Sequence, residues 1–286
     1  MAIKVVTDST SYIPYHLREE YDISVVSLGV TIDAETFREE DMDNEDFYVR
    51  MAQAKSLPTS SQPAPREFYQ VFENKLRENH DVVGIFLSSE MSGTYSTALM
   101  VKNMLLEKYP AAKIEIVDGR SNSMELGFAV LAAAKAAKAG QPMEEVIAQA
   151  KYVMERSRFL FVPDTLHYLQ KGGRIGGAAA LLGSLLQIRP ILTVIDGKTA
   201  LLSKVRKKER ALQEIVKIFL TDIEQKGLED AVIHHINFPR EAQALAEQLA
   251  QRTGRVIPVY SIGPVIGLHV GPGTLGIAYY TKEKRD

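Results

Sequence analysis

The chain contains no cysteine among its 286 residues. This absence excludes disulfides, cysteine-based zinc sites and thiol catalysis, and it suits a reducing cytoplasm. An excess of either charge is also missing, since 34 Lys and Arg residues stand against 36 Asp and Glu residues, a formal net charge of −2. This near-neutral balance argues against general nucleic-acid binding, which needs a basic footprint.

Long hydrophobic runs are missing as well, because the sequence has no stretch of about 18 apolar residues. The nearest, residues 181–195, is interrupted by Ser184, Gln187 and Arg189. The N-terminal apolar stretch is too short for a signal peptide. With 45% hydrophobic and 24% charged residues, the composition is that of a globular protein of one or two domains. We expect a soluble cytoplasmic protein with at most transient membrane contact.

Strand-like and helix-like segments alternate in the first half of the chain. The patterns predict strands at residues 3–6, 23–30, 81–87 and 113–117, and helices at residues 65–78, 94–108 and 124–139. In the first of these helices, Phe68, Val71 and Phe72 recur at helical spacing and form one apolar face. Strands separated by helices indicate βαβ units and a parallel sheet.

The second half has a different pattern. It predicts strands at residues 159–162, 191–195, 199–202, 232–236, 256–260 and 275–280, and helices at residues 206–225 and 240–252. Asp196-Gly197 is a hairpin signal, so the sheet here is mixed or antiparallel. The predicted fold class is therefore α/β with two lobes: an N-terminal parallel-sheet α/β sandwich over residues 1–158 and a C-terminal mixed or antiparallel α/β domain over residues 159–286.

Hydroxyl-rich loops follow three of the predicted parallel strands, at residues 7–10, 88–94 and 118–123. The carboxyl ends of parallel strands share one edge of a sheet, which is where ligands bind in open α/β folds. Helix capping explains any single loop. Capping does not require so many hydroxyls in every loop, so the three together favour a binding site.

Two further loops carry polar groups in a rigid setting. Residues 58–63 place three hydroxyls between prolines, either as a stiff linker with a helix cap or as a loop that presents donors. Residues 263–274 are rich in Gly and Pro and hold His269, which is either structural or a donor to an anionic ligand. The Gly271-x-Gly273-x-x-Gly276 spacing is not a dinucleotide fingerprint, because Pro272 lies inside it and a strand follows.

Basic residues collect in two places. Lys171 and Arg174 stand among glycines at residues 171–177, without the spacing of a phosphate-binding loop. Residues 204–210 hold five bases at a predicted helix start. They are either a solvated helix start or a site for a charged partner, which would explain why bases oppose the helix dipole there. No metal site is expected, because the adjacent His234 and His235 point to opposite faces of a strand and no carboxylates have ligand spacing.

Taken in order, five motifs resemble those of the DegV family, whose members include FakB-type fatty-acid-binding proteins. They are Thr7-Asp8-Ser9-Thr10, Thr59-Ser60-Ser61-Gln62-Pro63, Ser88-Ser89-x-x-Ser92-Gly93-Thr94-Tyr95, Leu166-x-Tyr168-Leu169-x-Lys171-Gly172-Gly173-Arg174-Ile175 and Gly267-x-His269-x-Gly271-Pro272-Gly273. The resemblance implies a carrier and not an enzyme, without a cofactor. It would bury one long-chain fatty acid, such as palmitate, stearate or oleate, in a tunnel between the lobes. A separate ATP-dependent fatty acid kinase of the FakA type would then convert the bound acid to acyl-phosphate.

By motif position, the resemblance assigns the carboxyl group to Ser60, Ser92 and His269, although the family often has Thr where Ser60 stands. Ser61 substitutes for Ser60 if the register is off by one, and Gly93 and Thr94 complete the ligand-binding set. The expected apolar lining comes from residues 128–134, 178–186 and 262–268.

Three arginines are predicted to dock the kinase: Arg174 among its glycines, Arg206 at the helix start, and Arg210 one turn along the same helix face. Surface ion pairing is the structural alternative for these residues.

Two other functions stay open on the sequence alone. One is an enzyme, either a hydrolase with a Ser92–His269 dyad or a phosphotransferase related to dihydroxyacetone kinase. A hydrolase would react with fluorophosphonates and a phosphotransferase would bind nucleotide and metal, whereas a carrier would do neither. The other is a regulatory interaction module in which lipid is incidental, and this module would work normally with its pocket blocked.

Overall fold

The computed structural model describes residues 2–182 and 188–284. The strands are β1 (Ile3–Asp8), β2 (Ser24–Val26), β3 (Gly29–Ile32), β4 (Glu35–Arg38), β5 (Thr59–Ser61), β6 (Asp81–Phe86), β7 (Ile114–Asp118), β8 (Ser157–Val162), β9 (Ile188–Ile195), β10 (Lys198–Arg206), β11 (Leu228–Ile236), β12 (Val259–Ser261) and β13 (Thr274–Thr281). The α-helices are α1 (Tyr15–Glu20), α2 (Asn44–Gln53), α3 (Pro65–Arg77), α4 (Thr94–Lys108), α5 (Ser123–Lys138), α6 (Met143–Met154), α7 (His167–Lys171), α8 (Lys208–Lys226), α9 (Pro239–Thr253) and α10 (Pro264–Val270).

The first sheet has four parallel strands in the order β2-β1-β6-β7. Every residue of β6 is buried, as expected for a central strand covered by helices on both faces. On one face, Phe68 and Phe72 of α3 pack against Phe86. These contacts confirm the parallel α/β arrangement predicted for the first half.

The second sheet has six strands in the order β10-β9-β8-β13-β11-β12, and all its neighbours are antiparallel except the parallel pair β11 and β12. Asp196 and Gly197 join β9 to β10 with φ angles of 50° and 79°. Two positive φ values are typical of a type I′ turn, which matches the twist of a hairpin. The predicted hairpin and mixed sheet are confirmed.

Helix α5 lies between the two sheets and packs against β1 on one side and against β8 and β13 on the other. Its Gly127 lets the helix approach the segment that follows β1, because a Cβ there would lie 2.7 Å from the Ser11 carbonyl oxygen. One continuous hydrophobic core therefore joins both sheets. The second sheet begins with β8 at Ser157, and the division of the chain at residue 158 stays a prediction.

The segment 23–30, predicted as one strand, is two. It forms β2 in the parallel sheet and β3 in a separate antiparallel sheet with β4 and β5. Side chains divert the backbone in between: the Leu28 N–H donates to the Ser9 hydroxyl and the Ser27 N–H to the Glu67 carboxylate, both at 3.1 Å. Segment 58–63, considered as a linker or loop, contributes β5 to the same small sheet.

Arg206 does not start a helix, contrary to prediction. It is the last residue of β10, paired with Ile188 of β9, and Lys207 turns the chain with a φ of 75° before α8 begins. Arg206 and Arg210 therefore do not share a helix face. Pairing with β9 overrides the helix preference of the basic residues, as tertiary context commonly does.

The Gly/Pro-rich segment around His269 is also more regular than its composition suggests. Residues Pro264–Val270 form α10, with Pro264 in the first turn, where its missing N–H costs nothing. Among the helices of residues 2–182 and 188–284, none is long and apolar enough to cross a membrane.

Candidate functional site

A cavity of about 260 Å³ opens between the two sheets. Its walls are mostly apolar and include several polar side chains. The apolar residues include Leu28, Leu87, Phe159, Phe161, Leu169, Val194, Val265 and Val270, and the polar ones are Ser60, Ser61, Gln62, Ser92, Asn122, Arg174, Thr199 and His269. A largely apolar cavity with a few polar groups is typical of a small-molecule site.

Only one of the three segments expected to supply the apolar lining does so. Residues 262–268 contribute Val265 and Ile266, whereas 128–134 and 178–182 do not line this cavity. Phe128 packs against Tyr280 of the second sheet instead. Residues 183–186 of the third segment lie outside the described residues.

Ser60 and His269 meet in the cavity wall although 209 residues separate them: the Ser60 hydroxyl and His269 Nε2 are 2.8 Å apart. Ser60 is held in β5, which pairs with Val30 of β3. His269 is held in α10, which packs against β5. The structure therefore joins two of the three residues assigned to the carboxyl group.

His269 is a neutral imidazole at physiological pH. Burial and, to a smaller extent, the nearby positive charge of Arg174 lower the pKa of His269 to about 4. Its other ring nitrogen, Nδ1, is buried and has no hydrogen-bond partner among the described residues. An unpartnered N–H is less tolerable than an unpartnered ring acceptor, so the proton belongs on Nε2, and His269 donates to the Ser60 hydroxyl.

This tautomer has a consequence for chemistry. A serine–histidine dyad needs an unprotonated Nε2 to accept the serine proton and an acceptor that orients Nδ1–H. Here Nδ1 lies against Gly172, where a Cβ would be only 2.2 Å away. With the proton on Nε2, His269 donates to the Ser60 hydroxyl, which can in turn donate into the cavity.

Ser92 lies at the start of α4 and lines the same cavity. Its hydroxyl is 2.9 Å from the Thr94 hydroxyl and accepts from the Thr94 N–H at 3.3 Å. The hydrogen bond of His269 Nε2 is to Ser60, so the arrangement does not match the hypothesised Ser92–His269 dyad. Ser92 remains available as a neutral donor beside that pair.

Contact between Gly93 and Gln62 packs the segment that holds Ser60 and Ser61 against the segment that holds Ser92. A Cβ at Gly93 would lie 2.0 Å from Gln62 Oε1, so the glutamine side chain crosses directly over this glycine. Gln62 Nε2 then donates to the Thr97 hydroxyl at 2.7 Å. Through this contact β5 and α4 are fixed relative to each other, and Ser60, Ser61 and Ser92 border one cavity.

The three hydroxyl-rich loops do converge. The Asp8 carboxylate accepts from the Leu87 N–H at 2.7 Å, and the Ser88 N–H donates to the Ser121 carbonyl at 2.9 Å. The first loop nevertheless serves structure: Asp8 caps the short 3₁₀ helix Ser9–Ser11, and burial raises the pKa of Asp8 to about 6. Only the other two loops reach the cavity.

Arg174 was predicted to dock a partner, yet it lies in the cavity wall. Its Nε donates to the Met91 carbonyl at 3.1 Å and its Nη1 to the Gly172 carbonyl at 2.6 Å. These bonds hold the guanidinium beside His269 and tie the loop after α7 to the loop before α4. Arg206 and Arg210 are exposed and do not line the cavity, and a docking role for all three arginines stays a prediction.

Sequence reasoning missed the residues that hold α10 in place. The buried Glu39 carboxylate accepts from the Val265 N–H at 2.8 Å, from the Tyr12 hydroxyl at 2.9 Å and from the Ser9 hydroxyl. The Tyr48 hydroxyl donates to the Ile262 carbonyl at 2.8 Å. Burial raises the pKa of Glu39 to about 7. Glu39 stands in a run of charged residues that is typical of a solvated surface, so its burial leaves no signal in the sequence.

His234 of β11 links the second sheet to helix α5. Its Nε2 accepts from the Met124 N–H of α5 at 3.2 Å, and its Nδ1 lies 3.2 Å from the Tyr260 carbonyl. Burial lowers the pKa of His234 to about 4, so both contacts are those of a neutral ring. Within the described part of the chain, no group of three or more His, Asp or Glu side chains could hold a metal ion.

Comparison with known proteins places this geometry in a family. The DegV family profile matches residues 2–282. A DegV domain-containing protein of Clostridium acetobutylicum is 50% identical over 284 residues, 99% of each chain. A second, from Clostridium perfringens, is 47% identical over 279 residues, which is 98% of this chain and 99% of its own.

Solved structures agree over the full length. A fatty-acid-binding DegV family protein from Thermus thermophilus matches with a TM-score of 0.89 and 31% identity, covering 98% of this chain and 100% of its own. DegV from Bacillus subtilis, described as a fatty acid binding protein, matches with a TM-score of 0.87 and 34% identity over 99% and 100% of the two chains. The match over nearly the whole chain, in sequence and in structure, shows that this protein belongs to the DegV family.

Proposed function

We propose that the protein binds one long-chain fatty acid, with the acyl chain in the apolar cavity and the carboxyl group at Ser60, Ser92 and His269. The observation that carries this proposal is the Ser60–His269 pair, which brings two neutral donors to an otherwise largely apolar space. The solved relatives from Thermus thermophilus and Bacillus subtilis, both described as fatty-acid-binding, support it.

The two parts of the ligand contribute unequally to affinity. About 14 buried methylenes at ~0.8 kcal/mol each give a gross stabilisation of ~11 kcal/mol, which chain ordering and association then reduce. Each hydrogen bond from a neutral donor to the charged carboxylate adds only about 1.5–3 kcal/mol net. Burial of the acyl chain therefore supplies most of the affinity. The hydrogen-bond donors orient the carboxylate for later chemistry.

We further propose that the protein is a carrier that presents the acid to a separate ATP-dependent kinase of the FakA type, which forms acyl-phosphate. The tautomer of His269 supports the carrier over a hydrolase, because it leaves Ser60 without a base. No cofactor is needed for such presentation, and a partner that uses cytoplasmic ATP places the carrier in the cytoplasm.

Calorimetry on delipidated protein tests the binding step. We expect saturable binding of fatty acids with about 14–20 carbons at one per chain, and no turnover of ester substrates. Adding a purified fatty acid kinase and ATP should then yield acyl-phosphate only in the presence of the carrier. Absence of saturable binding would contradict the carrier function, and acyl-phosphate formation independent of the carrier would contradict the partnership.

A further inference from the structure

One amide side chain in the cavity wall has no part in the carboxyl site. Asn122 lies between β7 and α5, is only 7% exposed and lines the cavity. The other amide of the described lining, Gln62, is already occupied, because its Nε2 donates to the Thr97 hydroxyl. Among the described residues, no hydrogen bond joins the Asn122 amide to the three residues assigned to the carboxyl group.

The Asn122 amide has a donor to spare. Its Oδ1 accepts from the Ser123 hydroxyl at 2.9 Å, and its Nδ2 lies 3.1 Å from Met91 Sδ. A thioether sulfur is a weak acceptor, and an amide nitrogen carries two hydrogens. Within the part of the chain that the structure describes, Nδ2 has no other partner. A ligand that fills the cavity therefore meets a buried N–H group that lacks a strong acceptor.

The contacts of Asn122 place it along the path of an acyl chain. On one side is Met91, which belongs to the loop of the carboxyl site and also lines the cavity. On the other side, the Met124 N–H donates to His234 Nε2 at 3.2 Å, and the His234 ring packs edge-on against Phe159 with 5.8 Å between centroids. Phe159 is part of the apolar wall. A chain that runs from the carboxyl site along this wall passes the amide.

A plain hydrocarbon chain does not satisfy this amide. A methylene group against a buried N–H leaves the donor unsatisfied, which costs free energy, whereas an oxygen on the chain accepts its hydrogen bond. The Asn122 Oδ1 also keeps a second lone pair for the hydrogen of a hydroxyl group. We infer that the ligand is a fatty acid whose chain carries an oxygen, as a hydroxyl or oxo group, and that Asn122 selects it. This inference rests on the proposed function and narrows its substrate class.

Stearate and the positional isomers of hydroxystearate test this selection on the delipidated full chain. The isomers carry the hydroxyl at successive positions along the chain, and calorimetry measures each affinity. In a uniformly apolar tunnel, every isomer should bind about tenfold or more weakly than stearate, because its hydroxyl is buried without a partner. We expect one isomer, with its hydroxyl opposite Asn122, to bind at least as tightly as stearate. Weakening of all isomers relative to stearate would overturn the inference.

Asn122→Leu separates selection from a structural role. It replaces the amide with an apolar side chain that branches at the same carbon. We expect the preferred isomer to bind this variant about tenfold or more weakly than stearate, with no loss of stearate affinity. Asn122→Ala, which removes the donor without adding bulk, should shift the ratio of the two affinities in the same direction. Asn103→Leu makes the same change at an exposed position of α4 and should leave the ratio unchanged.

The remaining outcomes are distinct. Equal loss of stearate and hydroxystearate from both Asn122 variants would assign the amide to the carboxyl group or to the fold, and would overturn the inference. An unchanged ratio of the two affinities in both variants would overturn it as well. Absence of binding for stearate and for every isomer would instead contradict the proposed function, and the inference would fall with it.

Discussion

Gly172 lies against His269 so closely that a Cβ at position 172 would be 2.2 Å from the imidazole Nδ1. The glycine has a φ of −76°, which any residue adopts. A glycine is therefore needed here because the His269 ring occupies the space of a Cβ, and not because of the backbone conformation. Gly172→Ala should displace the His269 ring and break its bond to Ser60. We expect fatty-acid affinity to fall about two- to tenfold, the value of one hydrogen bond.

Nitrogen NMR of His269 provides the direct readout for Gly172→Ala. The unaltered protein should show a protonated Nε2 and an unprotonated Nδ1 at pH 7, and the variant should lose that signature. Gly177→Ala is the matched control, since a Cβ there meets its nearest neighbour at an ordinary 3.7 Å. A protonated Nδ1 in the unaltered protein would refute the assigned tautomer.

The hydroxyls of β5 provide a second prediction. Ser60→Ala removes the partner of His269, whereas Ser61→Ala removes a neighbouring hydroxyl of the same cavity that does not bond to His269. We expect Ser60→Ala, and Ser92→Ala likewise, to reduce kinase-dependent acyl-phosphate formation much more than fatty-acid affinity. A loss of affinity beyond about 100-fold from either variant would exceed the hydrogen-bond contribution and contradict this division.

Glu39 gives the protein a characteristic pH dependence of stability. Its pKa is about 7 when folded, against an ordinary 4.5, so the folded state binds the extra proton between these values. Stability from Glu39 is therefore lost as pH rises from 4.5 to 7. Relative to the unaltered protein, Glu39→Gln should gain up to about 3 kcal/mol in unfolding free energy over that interval. Urea unfolding at a series of pH values measures the difference.

Other titrating groups cancel in that comparison. His234 and His269 both have a pKa of about 4 in the folded state. Their contribution to the free energy of unfolding is lost as pH falls from 6.5 to 4, in the unaltered protein and in the variant alike. Asp8, Tyr12 and Tyr48 act electrostatically on Glu39 or are influenced by it, and all three are unchanged in the variant. The exposed Glu78 serves as control: Glu78→Gln should leave the pH dependence of the unfolding free energy unchanged. If Glu39→Gln also left it unchanged, the assigned burial of Glu39 against α10 would be contradicted.

Arg206 tests kinase docking more cleanly than Arg174, because Arg206 does not line the cavity of the candidate site and Arg174 does. Arg206→Ala should bind fatty acid normally and support slower acyl-phosphate formation. The defect should shrink as salt rises, because salt screens the Arg206 contact that only the unaltered protein makes. Arg252→Ala, an exposed arginine on α9, is the control. Rates equal to those of the unaltered protein from Arg206→Ala would remove this residue from the docking surface.

Much of the fold could be predicted because local patterns and tertiary structure agree. The β-rich run at residues 81–87 is a central strand with a fully buried β6, and Asp196-Gly197 adopts the positive φ values that its composition favours. The candidate site residues Ser60, Ser92 and His269 were assigned by their motifs, and all three line one cavity.

The features that could not be predicted depend on contacts distant in sequence. Glu39 is buried by α10, which lies 226 residues further along at Val265. The break between β2 and β3 depends on the Ser9 hydroxyl and the Glu67 carboxylate, neither of which is local. Arg206 is held in a strand by Ile188. Helix propensity and charge pattern describe a segment alone and do not include such partners.

Native mass spectrometry of the purified full-length protein, followed by extraction and identification of any bound lipid, tests the central claim most directly. The account predicts a complex heavier than the 31.8 kDa chain by one long-chain fatty acid, which is released on extraction. A protein that carries no lipid after purification and cannot be loaded with a fatty acid of about 14–20 carbons would contradict it.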